Sequence, residues 1–174
     1  MLRAVHMTSE SRDIDKMEGL YERAFPANER RSFADMMASL NDSLEALGLY
    51  DGDEFCGLAF LLNCRDISHI IYLAIDEKLR GHGYGSQALQ IVHGMKKGMR
   101  IIVDIERDDV PSHNQSQRSS RKRFYLRNGY SETEVRYNWR GEAYEILSCG
   151  GQVTDDEFDD FWRTLDKRMD VSEL

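Results

Sequence analysis

The spacing of apolar residues changes several times along the chain, and each change predicts a different element. Leu2–Thr8 alternates weakly and indicates an opening strand. Asp13–Phe25 carries apolar residues three and four positions apart, which is typical of an amphipathic helix. After Pro26, either Asn28 or Ser32 could cap a second helix. The apolar residues of that second helix are Phe33, Met36, Met37 and Leu40.

The middle of the chain is rich in strand-forming residues. Three segments, Leu44–Tyr50, Phe55–Asn63 and Ile67–Ile75, are separated by short polar turns and predict three strands. Asp51-Gly52-Asp53 is a hairpin signal between the first two. A charged, glycine-rich stretch, Asp76–Gly85, follows the third strand.

The rest of the chain alternates between the two patterns and completes the order β-αα-βββ-α-β-α-ββ-α. This order predicts an α+β domain around a mixed sheet. We expect residues 1–150 to form that domain and residues 151–174 to form a helical extension of it. The predicted elements are a helix through Ala88, Leu89, Val92 and Met95 that ends near Gly98, a strand over Arg100–Glu106, a polar loop over Asp108–Gln117, a helix over Ser119–Arg127 that ends at Asn128-Gly129, strands over Thr133–Trp139 and Ala143–Ser148, and a helix over Thr154–Met169.

The last helix carries two distinct signals. Thr154-Asp155-Asp156-Glu157 fits a capping box, which starts a helix by pairing a threonine with a glutamate three residues later. An apolar stripe at helical spacing predicts burial against the body of the protein or a second subunit, so either a monomer or a homodimer is expected. The stripe consists of Phe158, Phe161, Trp162, Leu165 and Met169.

Composition narrows the class of protein. Hydrophobic residues make up 41% of the chain and charged residues 31%, which is ordinary for a globular domain. The net charge of −8 disfavours nucleic acid and would favour a cationic partner such as an amine, although solubility alone also explains it. The three cysteines form no CxxC pair, so neither a disulfide framework nor a metal site is expected. No signal peptide or membrane-length apolar run is present, and we expect a cytoplasmic protein without a membrane partner.

The segment Arg80-Gly81-His82-Gly83-Tyr84-Gly85-Ser86 lies between a predicted strand and a predicted helix. Glycines let a ligand approach the backbone closely, and the free N–H groups of a helix N-terminus suit a phosphate. A P-loop would require a lysine after the last glycine, where Ser86-Gln87 stands. A dinucleotide fingerprint fails as well, because the third glycine comes one residue early. The segment therefore indicates a different phosphate ligand, such as a pyrophosphate.

Two motifs in order give the chain its resemblance to a known family. Arg80-x-x-Gly83-x-Gly85 resembles the Q/R-x-x-G-x-G/A signature of the GNAT superfamily of acyl-CoA-dependent N-acetyltransferases. The segment Phe124–Tyr130 resembles the F-Y-x-x-x-G-F element of the same superfamily, and it falls on the next helix after an intervening strand.

The resemblance implies a mixed, mostly antiparallel sheet flanked by helices and splayed between two parallel central strands, Ile70–Ile75 and Ile101–Glu106. It also implies acetyl-CoA as co-substrate. A bulge in the first strand would leave backbone groups free for the pantetheine arm and the thioester carbonyl. The implied coenzyme site consists of Leu73, Ala74 and Ile75 on that strand and of Arg80, Gly81, His82, Gly83, Tyr84, Gly85 and Ser86 in the loop.

One position departs from the family pattern. Many members carry an asparagine seven residues before the tyrosine of the second motif, where it contacts pantetheine, and here that position is Arg118. Asn114 lies eleven residues before Tyr125, so the contact is left open. The basic cluster Arg118, Arg121, Lys122 and Arg123 is interpreted as a solvated helix face or as contacts to coenzyme phosphates, rather than as a nucleic-acid site.

Acyl transfer from a thioester to an amine requires a proton acceptor, an oxyanion donor and a proton for the leaving thiolate. Tyr125 is the candidate acid, because a phenol stays protonated at neutral pH, and packing is the alternative. Glu106 is the first candidate base and Asp104 the second, although Glu106 could instead pair with an arginine. The oxyanion would meet a backbone N–H near Ala74 or Ile75.

These observations predict an N-acetyltransferase that moves an acetyl group from acetyl-CoA to a primary amine by direct attack, through a tetrahedral intermediate. The alternative is a non-catalytic coenzyme-A-binding sensor or interaction module on the same fold. The resemblance places the family's acceptor-binding wall at the loop between the first two helices, Phe25–Arg31, which is therefore expected to shape amine selectivity.

Overall fold

The computed structural model describes residues 1–169, and over this range the chain forms seven strands, five α-helices and a single 3₁₀ turn over Glu77–Leu79. The strands are β1 (Leu2–His6), β2 (Leu44–Asp51), β3 (Glu54–Cys64), β4 (Ile67–Ile75), β5 (Arg100–Glu106), β6 (Ser131–Trp139) and β7 (Glu142–Cys149). The helices are α1 (Ile14–Ala24), α2 (Phe33–Ala38), α3 (Tyr84–Met95), α4 (Gln115–Arg127) and α5 (Asp155–Met169). None of the described helices is long and apolar enough to cross a membrane.

All seven strands join one sheet in the order β1-β2-β3-β4-β5-β7-β6. Neighbouring strands are antiparallel except for β4 and β5, which are parallel. The predicted mixed, mostly antiparallel sheet is therefore confirmed.

The parallel pair separates before its strands end. Its ladder runs only from Ile67↔Arg100 to Ile70↔Val103, while β4 continues to Ile75 and β5 to Glu106. The pairing of β4 with β3 shifts at the same level, which leaves Ile71 as a bulge residue without a partner. The splay between the central strands and the bulge in the first of them are both confirmed.

Helices cover both faces of the sheet. One core cluster joins side chains of α1, α2 and α5 to the sheet, including Met17, Met36 and Leu165. A second cluster joins α3 and α4 to the opposite face, including Leu89 and Tyr125. The split between β4 and β5 therefore opens toward two different helical layers.

Side-chain caps explain two of the helix boundaries. Ser32, rather than Asn28, caps α2, because its hydroxyl accepts a hydrogen bond of 3.2 Å from the Asp35 N–H. At α5 the Glu157 N–H donates to the Thr154 hydroxyl at 3.3 Å, and the Thr154 N–H donates to the Glu157 carboxylate at 3.0 Å. The predicted capping box is thus present.

Helix α4 begins earlier than the sequence predicts. It starts at Gln115 rather than at Ser119, so the last part of the predicted loop Asp108–Gln117 is helical. Its first turn carries no apolar periodicity, because Arg118 is buried by ion pairs rather than by apolar contacts. The end of α4 follows the prediction, since Gly129 adopts a φ of +88°, a left-handed conformation that suits a residue just beyond a helix.

Helix α5 packs against the body of its own chain. Phe158, Phe161 and Leu165 are buried in the same core cluster as α1 and α2. The side chain of Met169, the last member of the predicted stripe, lies outside the described residues. The division of the chain near residue 150 and the oligomeric state stay predictions.

Replacing Phe161 with alanine should lower the free energy of unfolding by about 3–5 kcal/mol, because the change removes a buried ring and leaves a cavity. Arg163→Ala changes an exposed residue on the same helix and serves as the control. Urea unfolding of the two variants measures the difference. Equal midpoints for both variants would show that α5 contributes nothing to the core.

Candidate functional site

The glycine loop takes its shape from two left-handed residues. Gly81 has a φ of +82° and Gly83 a φ of +81°, and Gly83 directly precedes the first residue of α3. A Cβ at either position would meet no atom within 4 Å. The space beside the loop is therefore open, and no side chain caps the N-terminus of α3. This arrangement suits an anion.

Gly85 has a different role, which connects the two sequence motifs. A Cβ at Gly85 would lie 3.1 Å from Cζ of Phe124, the first residue of the second motif. Gly85 therefore permits α3 and α4 to approach each other closely. The structure brings the loop and the α4 motif to the same face of the sheet.

The other predicted loop residues surround the end of β4. Arg80 is exposed, and its Nε donates to the Ile75 carbonyl at 3.3 Å. His82 is exposed, with Nδ1 3.0 Å from the Arg80 carbonyl oxygen. The Tyr84 hydroxyl donates to Asp51 at 2.7 Å, and Ser86 is half-buried.

The three predicted β4 residues lie beside the split. Leu73, Ala74 and Ile75 pair with β3 on one side and have no strand on the β5 side. Backbone groups on that open edge could bond a ligand, although the Ile75 carbonyl already accepts from Arg80.

Arg118, which replaces the family asparagine, serves the structure of the protein. Only 3% of its surface is exposed, and its Nη2 lies 3.2 Å from Glu106 and 3.0 Å from Glu142. Its Nε donates to the Asn114 side-chain oxygen at 2.8 Å, and the Ser112 hydroxyl donates to the same oxygen at 2.6 Å. Asn114 is thus engaged within the protein.

Lys122 also contacts the sheet rather than solvent. Its Nζ lies 2.9 Å from Glu145 on β7 and 2.8 Å from Glu132 on β6. The interpretation of the basic cluster as a solvated helix face or as phosphate contacts is wrong for Arg118 and Lys122. Acidic residues of the sheet hold both of them.

Tyr125 lies on α4 in the cluster that faces α3. Its ring packs against Phe124 and Tyr130, with centroid distances of 5.1 and 5.3 Å. Burial raises the pKa of Tyr125 to about 12, against the opposing effect of Arg121 and with a smaller contribution from Asp104. The hydroxyl therefore stays protonated at neutral pH.

A cavity of about 440 Å³ opens on the opposite face of the sheet. It lies between the α1–α2 connection, the splayed ends of β4 and β5, the β6–β7 hairpin and α5. Aromatic rings dominate its walls, and several acidic side chains join them. The lining residues are Phe25, Glu29, Arg31, His69, Ile71, Tyr72, Asp104, Glu106, Arg121, Tyr137, Trp139, Tyr144, Phe158, Asp159, Trp162 and Asp166.

Glu106 lines this cavity with both carboxylate oxygens in ion pairs. Oε1 lies 3.2 Å from Nη2 of Arg118, and Oε2 lies 2.8 Å from Nη1 of Arg121. This geometry favours the alternative that Glu106 pairs with arginine. Its role as the base stays a prediction.

Asp104 occupies the same face of β5, two residues earlier, and has different partners. Its Oδ1 lies 2.9 Å from Nε2 of His69, and its Oδ2 accepts a hydrogen bond of 2.8 Å from the Tyr137 hydroxyl. Burial alone would raise the pKa of Asp104, but the interaction with His69 and the hydrogen bonds from His69 and Tyr137 outweigh it and lower the pKa. Asp104 is therefore a carboxylate at neutral pH.

Sequence reasoning missed His69 and Tyr137. His69 stands in an apolar strand and Tyr137 in an alternating one, and neither belongs to a local motif. Their only signal would have been the pairing of β4 with β5 and of β6 with β7, the other neighbour of β5. In residues 1–169, no cluster of three or more His, Cys, Asp or Glu side chains could hold a metal ion.

Known protein families and solved structures share this architecture. The family model described as an acetyltransferase (GNAT) domain matches residues 43–132. A GNAT-family acetyltransferase structure from Bacteroides thetaiotaomicron has a TM-score of 0.79 at 19% identity, with 95% of this chain and 96% of that chain covered. No curated protein sequence matches the chain.

Two further structures have the same fold. The ribosomal-protein-S18-alanine N-acetyltransferase from Escherichia coli has a TM-score of 0.66 at 15% identity, with 90% of this chain and 97% of that chain covered. A GNAT family acetyltransferase from Elizabethkingia anophelis, solved with acetyl-CoA bound, has a TM-score of 0.58 at 15% identity, with coverages of 85% and 97%. These likenesses show the fold, and the family model covers more than half of the sequence. The chain belongs to the GNAT family of acetyltransferases.

Proposed function

We propose that this acetyltransferase moves an acetyl group from acetyl-CoA to a primary amine by direct attack through a tetrahedral intermediate. The observation that carries the proposal is the split between β4 and β5. The glycine loop and Tyr125 lie on one side of it, and the acidic, aromatic cavity lies on the other. A thioester in the split would be reachable by an acceptor in the cavity.

The coenzyme would bind along the α3 side of the split. Its pyrophosphate would sit at the open loop around Gly81 and Gly83, where free N–H groups and the helix N-terminus favour negative charge. Its pantetheine arm would lie along the open edge of β4, near Leu73–Ile75. The acetyl-CoA bound to the Elizabethkingia anophelis structure supports this choice of co-substrate.

The reaction would use few protein groups. The neutral amine attacks the thioester carbon, and a backbone N–H near Ala74 or Ile75 stabilises the oxyanion. The attacking nitrogen then loses its extra proton to water, and the C–S bond breaks to release the thiolate. Tyr125 would donate a hydrogen bond to the leaving thiolate. Full proton transfer to a thiolate of ordinary pKa, near 8.5, would cost about 4–5 kcal/mol from a phenol of pKa about 12. Burial of the thiolate would raise its pKa and reduce that cost.

Turnover separates this proposal from a coenzyme-binding sensor on the same fold. The protein would be incubated with acetyl-CoA and a panel of alkylamines, arylalkylamines, polyamines and peptides, and release of free thiol would be measured. Saturable, amine-dependent thiol release supports the enzyme. Binding of acetyl-CoA without transfer to any member of the panel would favour the sensor.

The coenzyme site predicts a thermal response that Gly83→Asp should abolish. Acetyl-CoA at about 100 times its dissociation constant should stabilise the native protein by about 2.7 kcal/mol. An aspartate at Gly83 adds negative charge at the helix N-terminus and places a side chain in the open space beside the loop. Differential scanning fluorimetry with and without acetyl-CoA measures the shift.

Gly98→Asp is the matched control for this measurement. Gly98 has a φ of +87° and equally open space around its Cβ, but it lies beyond the far end of α3. The control carries the same backbone strain and charge, and it should keep the shift. No shift in the wild type would remove acetyl-CoA as the ligand.

Tyr125→Phe should lower kcat by about 10²–10⁴, the usual effect of losing a positioned general acid. The phenylalanine keeps the ring contacts with Phe124 and Tyr130, so acetyl-CoA affinity should change little. Steady-state kinetics on an accepted amine, with coenzyme affinity determined separately, measures both quantities. A variant within about threefold of wild-type kcat, with chemistry rate-limiting, would exclude Tyr125 as the acid.

A further inference from the structure

Two carboxylates on β5 line the cavity, and the partners of one differ in charge from the partners of the other. Each oxygen of Glu106 is paired with a guanidinium, one from Arg118 and one from Arg121. Arginine stays protonated in proteins, so these two cations compensate the charge of Glu106. Glu106 is therefore poorly suited to bind another cation.

Asp104 is held by hydrogen bonds from an imidazole and a phenol. His69 is 1% exposed, and its Nδ1 has no hydrogen-bond partner among the described residues. A proton on Nδ1 would be a buried donor without an acceptor, which costs about 1–3 kcal/mol. The arrangement therefore favours a His69 that donates from Nε2, with the carboxylate keeping its negative charge.

The position of Asp104 is as significant as its charge. Val103 is the last β5 residue paired with β4, so Asp104 is the first residue beyond the point where the strands separate. Ile71, the bulge residue of β4, lines the same cavity. Asp104 therefore lies where the cavity meets the splayed strands, and 24% of its side chain is exposed.

The other residues of the cavity wall indicate the chemical character of a molecule that could bind there. Rings from the α1–α2 connection, β4, the β6–β7 hairpin and α5 line the same cavity as Asp104, and they suit an apolar or aromatic stem. These rings belong to Phe25, Tyr72, Tyr137, Tyr144, Phe158 and Trp162. The other charged groups that line the cavity are Glu29, Arg31, Glu106, Arg121, Asp159 and Asp166.

We propose that Asp104 binds the ammonium group of the acceptor, and that the acceptor is an alkylamine whose stem lies among the cavity rings. The proposal rests on the proposed function and names its substrate class. His69 and Tyr137 are positioning residues, because they donate hydrogen bonds to both carboxylate oxygens and neither carries a permanent charge. The bound ammonium gives one proton to water before the free amine attacks.

The test measures binding rather than turnover, so it does not depend on catalysis. Isothermal titration with free coenzyme A present would compare 2-phenylethylamine with 2-phenylethanol, and hexylamine with hexanol. Wild type should bind each amine at least about tenfold more tightly than its alcohol, as expected for a charged hydrogen bond. Asp104→Asn should bind amine and alcohol within about threefold of each other.

Asp159→Asn is the matched control, since it removes one negative charge from the same cavity wall on α5. It should keep the preference for the amine. An equal loss in Asp159→Asn would mean that the overall field of the cavity, rather than Asp104, selects the ammonium. A preference retained in Asp104→Asn, or absent from wild type, would also overturn the proposal.

Tyr137→Phe and His69→Gln test the positioning role. Each should weaken amine binding by about three- to tenfold and leave alcohol binding unchanged, a distinction that a merely structural role would not produce. The melting temperature and coenzyme affinity of Tyr137→Phe should match those of wild type. If His69→Gln fails to fold, Tyr137→Phe alone tests the positioning role. Equal weakening of amine and alcohol binding would reduce both residues to structural roles.

Turnover separates this inference from the proposed function. Failure of wild type to acetylate any amine, despite binding both amines and coenzyme, would contradict the proposed function and leave ammonium binding at Asp104 intact. Normal acetylation by Asp104→Asn with unchanged KM for the amine would contradict the role of Asp104 and leave the proposed function intact.

Discussion

The early end of the β4–β5 ladder is the constraint on which the site depends. Backbone groups inside a sheet are normally paired, and leaving them buried without partners is costly. Beyond Ile70 and Val103, β4 and β5 no longer pair with each other. The outer edge of β4 still pairs with β3, and the outer edge of β5 still pairs with β7. The facing edges of the split therefore have no strand partner, although the Ile75 carbonyl accepts a hydrogen bond from Arg80. The split suits an extended polar arm that can form strand-like hydrogen bonds.

Helix α4 is held beside this gap by ion pairs as well as by the apolar contacts of Tyr125. Its interface with the sheet carries Arg118, Arg121 and Lys122 against the buried carboxylates of Glu106 and Glu145. Removing one partner of a buried ion pair typically costs about 3–5 kcal/mol, because the other charge is left uncompensated. The network therefore fixes the rotation of α4 about its axis. That rotation turns Tyr125, seven residues after Arg118, toward the core beneath the split.

Much of the fold could be predicted from the sequence, because apolar periodicity and local caps determine it. The stripe of α5 and its Thr154–Glu157 capping box are both local signals, and both are present in the structure. The start of α4 could not be predicted in the same way. Arg118 is buried through contacts with β5 and β7, and its polar neighbours give no apolar period.

The candidate site also combines features that could be predicted from the sequence with features that could not. The glycine loop is a contiguous motif, and its left-handed glycines could be expected from the sequence alone. The roles of the β5 acids could not, because Glu106 and Asp104 are equivalent in the pattern of the strand. Their difference comes from distant segments: α4 supplies cations to one, and β4 and β6 supply hydrogen-bond donors without a permanent charge to the other. A carboxylate whose charge is already compensated attracts an ammonium group only weakly, so the partners of each acid determine how strongly it would attract a cation.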